Sequence, residues 1–172
     1  PDLTNKSLAY KDAYKKTLDA ATPVVSKALG DYTDGVKTNP YDANSAEGKL
    51  YQAVKDDAAA GEQAANNPNS PAAPDATQST AYKAGYDIAK GSADALNGAQ
   101  KNSNNNDDAY KDAYDQATDG FKGANNTAPE NQTAAYKAGQ KAKTDSQDGA
   151  TRATTGQSLP ATPSQAETDG FN

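Results

Sequence analysis

Ala81-Tyr82-Lys83-Ala84-Gly85-Tyr86 is written four times along this chain, and its reading decides the fold. It returns as Ala9-Tyr10-Lys11-Asp12-Ala13-Tyr14, as Ala109-Tyr110-Lys111-Asp112-Ala113-Tyr114 and as Ala135-Tyr136-Lys137-Ala138-Gly139-Gln140, where glutamine replaces the second tyrosine. Two tyrosines four residues apart share one face of a helix, with the small residue at the third step beside them. The box predicts a helical contact surface of tyrosine and a small residue. Such a surface could bind a ligand, since tyrosine is favoured at interfaces and stacks on sugar faces, or it could be the core itself.

Composition favours the core. Leu, Ile, Val and Phe supply only 14 of 172 residues, far below the roughly 20% under which disorder is the default expectation. The large net charge that usually accompanies disorder is missing, at −6. Alanine, which lets helix axes approach closely, and the ten tyrosines must then build whatever interior exists. The box residues Tyr10, Ala13, Tyr14, Tyr82, Gly85, Tyr86, Tyr110, Ala113, Tyr114, Tyr136 and Gly139 are expected to pack between helices. Tyr32, Tyr41 and Tyr51 lie outside the regular boxes and are expected to be the exposed tyrosines, available for contact.

Spacing then gives the elements. Tyr10, Tyr14, Leu18, Ala21, Val25, Leu29, Tyr32 and Val36 form a 3.6-residue stripe. Its phase survives Pro23, which predicts one helix kinked near that proline, capped by Asn5 or Thr4. Residues 37–44 read as a loop. Asn44 with Glu47 predicts a capping-box start for a second helix carrying Leu50, Tyr51, Val54, Ala58, Gly61 and Ala65. Three prolines among residues 66–74 make the strongest linker. The third helix is expected from Ser79 or Thr80 to just before Asn97-Gly98. The fourth starts from Asp107 or Asp108 and ends before Asn125, and the fifth spans about Glu130 to Asp148. Residues 150–172 read as mostly extended, with Gln165–Phe171 as a docked helical turn. The expected fold is all-α: an elongated array of about five antiparallel helices, three-helix-bundle-like or a short solenoid, with an Ala/Tyr core. Its divisions are an N-terminal helical subdomain at 1–66, a linker at 67–78, a repeat subdomain at 79–150 and a polar tail at 151–172.

Chemistry is sparse. Without Cys or His there are no disulfides, no thiolate sites and no imidazole base or ligand. No cofactor, metal or catalytic residue is expected. Asn104, Asn106 and Asp108 echo the first half of a calcium loop, but Ala109 stands where its glycine belongs and Asp115 where its glutamate belongs. Asp56-Asp57 and Asp107-Asp108 are neighbours whose side chains point apart on a helix, not an acid pair for glycoside cleavage. The Asn-x-Ser/Thr triplets at Asn5, Asn125 and Asn131 are near chance in so polar a chain. Leu159-Pro160-Ala161-Thr162-Pro163 resembles a sortase signal in which Pro163 replaces the required glycine, and reads as linker. A pI near 4.6 without a basic patch gives no footprint for nucleic acid. No run approaches the roughly 18 apolar residues of a membrane span. The start at proline reads as a processed or excised segment of something longer.

The boxes, set in Asn/Asp/Ala-rich helices, resemble the repeats of large cell-surface exoproteins of lactic acid bacteria over residues 5–150. That resemblance implies an extracellular or wall-associated protein of Gram-positive origin, built of neighbouring helical modules and acting in adhesion or as a spacer. It supplies no catalytic residues. The leading expectation is a non-catalytic structural or adhesive repeat module. The alternative is a helical module gripping a host surface protein, a glycan or the bacterial cell wall. A carbohydrate-active enzyme domain would need a concave site with carboxylates of shifted pKa.

Overall fold

A computed structural model describes residues 4–67, 73–102, 107–123 and 132–172. Among the described residues six helices follow one another: α1 (Leu8–Thr33), α2 (Ala46–Ala65), α3 (Thr80–Leu96), α4 (Asp108–Lys122), α5 (Ala134–Thr155) and α6 (Gln165–Phe171). The described residues contain no strand. Each helix packs chiefly on its neighbours in sequence, giving the elongated all-α array that the repeats predict.

The starts share one device. Ser7, Ser79 and Thr133 are N-caps whose hydroxyls accept from the backbone N–H of Tyr10, Tyr82 and Tyr136, three residues on. Asp107 caps α4 and also stands three residues before its box tyrosine, Tyr110. Four times, then, the cap places the box tyrosine in the first turn of its helix.

Two expected caps were wrong. Ser7, not Asn5 or Thr4, starts α1. Ser45, not Asn44, starts α2, because Asn44 gives its N–H to Asp42 Oδ1 in a local turn while Ser45 Oγ accepts from Gly48. Helix α1 is continuous through Pro23, as its unbroken stripe predicts. Helix α5 outruns the expected end at Asp148 and stops at Gly156 in the left-handed conformation (φ 71°). The turn expected at Gln165–Phe171 is α6, lying on α5. Across the expected linker at 67–78, Ala81 of α3 shares a buried cluster with Val24, Ala28, Tyr51 and Val54. The calcium-like positions Asn104 and Asn106, the triplets at Asn125 and Asn131, and Glu130 lie outside the described residues.

Candidate functional site

The box turns out to be half of a joint. At α2·α3 a Cβ added to Gly85 would stand 1.9 Å from the carbonyl oxygen of Ala58, and one added to Gly61 would stand 2.0 Å from that of Tyr82. No side chain fits such a gap, so the two backbones touch directly, in the range of Cα–H···O contacts. The joint is reciprocal and antiparallel: Ala58-x-x-Gly61 is a seat and Tyr82-x-x-Gly85 is the box laid on it. The same pairing recurs at α4·α5, between Ala117-x-x-Gly120 and Tyr136-x-x-Gly139, and at α5·α6, between Ser146-x-x-Gly149 and Glu167-x-x-Gly170. At α3·α4 only one side is glycine: Gly91 meets the backbone of Tyr110, whose box carries Ala113.

Polar stitches hold the joints in register. Tyr110 is 1% exposed; its hydroxyl donates to Asp94 Oδ2 at 3.0 Å and accepts from the N–H of Asn102 at 3.2 Å. Tyr51 is fully buried and donates to Asp31 Oδ2 at 2.8 Å, with its ring edge-on to Tyr41. Both aspartates lie on the preceding helix and pair with a lysine one turn back, Lys90 or Lys27. At the other joints the N-cap hydroxyl does this work, from Ser79 to Asp57 and from Thr133 to Gln116. Burial pushes the Tyr51 phenol up to about 12, with Asp31 adding to the shift. Burial raises Tyr110 as well. Burial alone would raise Asp31, but hydrogen bonds from Lys27 and Tyr51 outweigh it and hold its carboxyl below the usual range.

The tyrosines therefore sort differently from expectation. Tyr51, expected to be exposed, is the most deeply buried of the described tyrosines, because α1 lies across it and offers Asp31 to its hydroxyl. Tyr32 and Tyr41 are half-buried, Tyr32 donating to Glu62. Tyr86, Tyr110 and Tyr136 are buried, while Tyr82 and Tyr114 are half-buried, Tyr114 donating to the Ala99 carbonyl at 2.7 Å. The first box departs altogether: Tyr10 is 48% exposed and Ala13 is exposed too. The Tyr14 side chain lies outside the described atoms.

One open groove of about 640 Å³ runs between the end of α1, α2, α3 and α5. Ala59, Ile88, Ala89, Ala93, Leu96 and Ala138 make its floor, and Tyr32, Lys55, Asp56 and Glu62 stand at its rim. An apolar floor with a charged rim suits the ridge of an amphipathic peptide or helix. Of the three tyrosines expected to make contacts, only Tyr32 lines it. Among the described residues no group of His, Cys, Asp or Glu is gathered to hold a metal ion.

Gly91, Gly120, Gly149 and Gly170 were not singled out by the spacing argument. The signal was present: Thr118-Asp119-Gly120-Phe121 is repeated as Thr168-Asp169-Gly170-Phe171. Asp-Gly ordinarily marks a turn, yet here both glycines are helical and face a neighbour's backbone. No protein-family model, no curated protein and no solved structure matches the chain.

Proposed function

We propose that this chain is a non-catalytic structural repeat module of a secreted or cell-surface bacterial protein, a spacer that sets distance between the parts it joins. The observation that carries this reading is the recurrence of one joint. Seat and box follow each other along α2, α3, α4, α5 and α6, and the box tyrosines Tyr86, Tyr110 and Tyr136, among the largest groups available for a ligand, are buried between the packed helices. An array whose units bury their faces chiefly on neighbours is suited to length. Wall attachment in a Gram-positive bacterium and a role beside adhesins follow from the resemblance of the boxes to surface exoprotein repeats.

A second reading is favoured by the groove: a helical module that grips a partner through the floor around Ile88. Titration of the purified chain with peptidoglycan, a mucin-type glycan and extracellular-matrix proteins separates the two. The spacer reading expects no saturable binding and a particle in solution scattering much longer than a sphere of 17.7 kDa. Saturable binding that is lost in Ile88→Glu would assign the function to the groove and overturn the spacer.

A further inference from the structure

The first half of α1 is a copy of α4 without α4's neighbours. Residues 10–20 match 110–120 at Tyr10, Lys11, Asp12, Ala13, Tyr14 and Asp19, six of eleven positions. Small residues also stand where α4 uses them for packing, Thr17 for Ala117 and Ala20 for Gly120. In α4, Tyr110, Ala113, Ala117 and Gly120 are all buried, beneath α3 and α5. In α1 the equivalents Tyr10, Ala13, Thr17 and Ala20 are all exposed. Their 3-4-3 spacing makes one helical stripe, and it continues into Val24 and Ala28, buried in the cluster shared with α2. The uncovered face is thus continuous with an interface already made. Thr17 gives its hydroxyl proton to the Ala13 carbonyl at 2.9 Å, so covering it strands no donor.

We propose that this face pairs with the same face of a second copy of the chain, the two α1 helices antiparallel about a two-fold axis near Lys15. The α4·α5 joint supplies the register, with Gly120 against Tyr136 and Ala117 against Gly139. Helix α1 carries both halves of that joint in series, the box Tyr10-x-x-Ala13 and the seat Thr17-x-x-Ala20. Carried over, the register sets Tyr10 against the second copy's Ala20 and Ala13 against the second copy's Thr17. Both pairs are centred on the same residue, so each copy serves as box and seat at once, which is the condition for an isologous interface. At 100° per residue, Lys11, Asp12, Lys15 and Asp19 project away from the stripe. Ala13, Thr17 and Ala20 carry Cβ atoms where the α4·α5 joint has glycines, so the helices cannot approach as closely. The association is therefore weak and concentration-dependent.

Sedimentation equilibrium of the full chain, from about 10 μM to about 1 mM, tests this. The weight-average mass should rise from 17.7 kDa toward twice that value. Ala13→Glu and Thr17→Lys, each at an exposed helical site, should each leave helicity unchanged and hold the mass at the monomer value. An equal mixture of the two should regain the dimer, because one glutamate then meets one lysine across the two-fold. A wild-type mass that stays monomeric throughout would overturn the proposal. So would a dimer that survives Ala13→Glu, and failure of the mixture to recover would overturn the register.

Discussion

Tyr51 and Tyr10 show how little a tyrosine's own neighbours in sequence say about its work. Tyr51 sits in a degenerate stretch, Leu50-Tyr51-Gln52-Ala53, yet is fully buried and bonded to Asp31. Tyr10 heads a well-formed box and is 48% exposed. Burial depends on whether another helix crosses the ring and brings an acceptor for its hydroxyl, and Asp31 comes from twenty residues away. The phenol has a pH consequence. Its folded pKa, about 12, lies above the roughly 10 of an unfolded tyrosine, so the folded state favours the neutral ring. Its contribution, about 2–3 kcal/mol by that difference, is complete below pH ~10 and is lost as pH rises toward 12. Melting temperature should therefore fall steeply across that window, and Tyr51→Phe, which has no proton to release, should flatten the fall. An unchanged slope in the variant would show that Tyr51 does not govern alkaline unfolding.

Among the helices, glycine has two opposite meanings. Gly30 lies inside α1 with nothing within 4 Å of a Cβ built on it. Gly30→Ala should stabilise by about 0.5–1 kcal/mol through helix propensity alone. Gly85→Ala gains the same propensity but drives a methyl into the Ala58 carbonyl, and Gly85→Leu more so. The clash wins: overpacking of about 3 kcal/mol or more against a gain of about 1 leaves a net loss of about 2 kcal/mol or more. Paired denaturant melts of the two alanine variants should show opposite signs. The helices themselves were legible, because stripes and caps are local; the starts of α3 and α4 were narrowed to Ser79 or Thr80 and to Asp107 or Asp108, and the caps are Ser79 and Asp107. Where several polar residues compete for one start, as at Asn44 and Ser45, the choice turned on the Asp42 turn, which sequence did not single out. The seats were harder still, since Asp119-Gly120 and Asp169-Gly170 carry a turn signal that only a neighbouring backbone overrides.

Across the whole molecule, joints between successive helices make stability a nearest-neighbour property. Gly170→Leu, at the α5·α6 joint, should speed amide exchange in α6 and the second half of α5 while leaving α2 unchanged. Uniform acceleration over all helices would instead mean one cooperative unit. The sequence by itself determined that the chain is helical, where α3, α4 and α6 begin, and that tyrosine and small residues must carry the packing. Those properties follow from local periodicity, capping and the scarcity of larger apolar groups. Only the tertiary structure decided which boxes are covered, that Tyr51 is core, and that α5 receives α4 on one half and α6 on the other. Coverage requires a second helix at a set distance and register, and that distance is set where glycine lets one backbone rest against another.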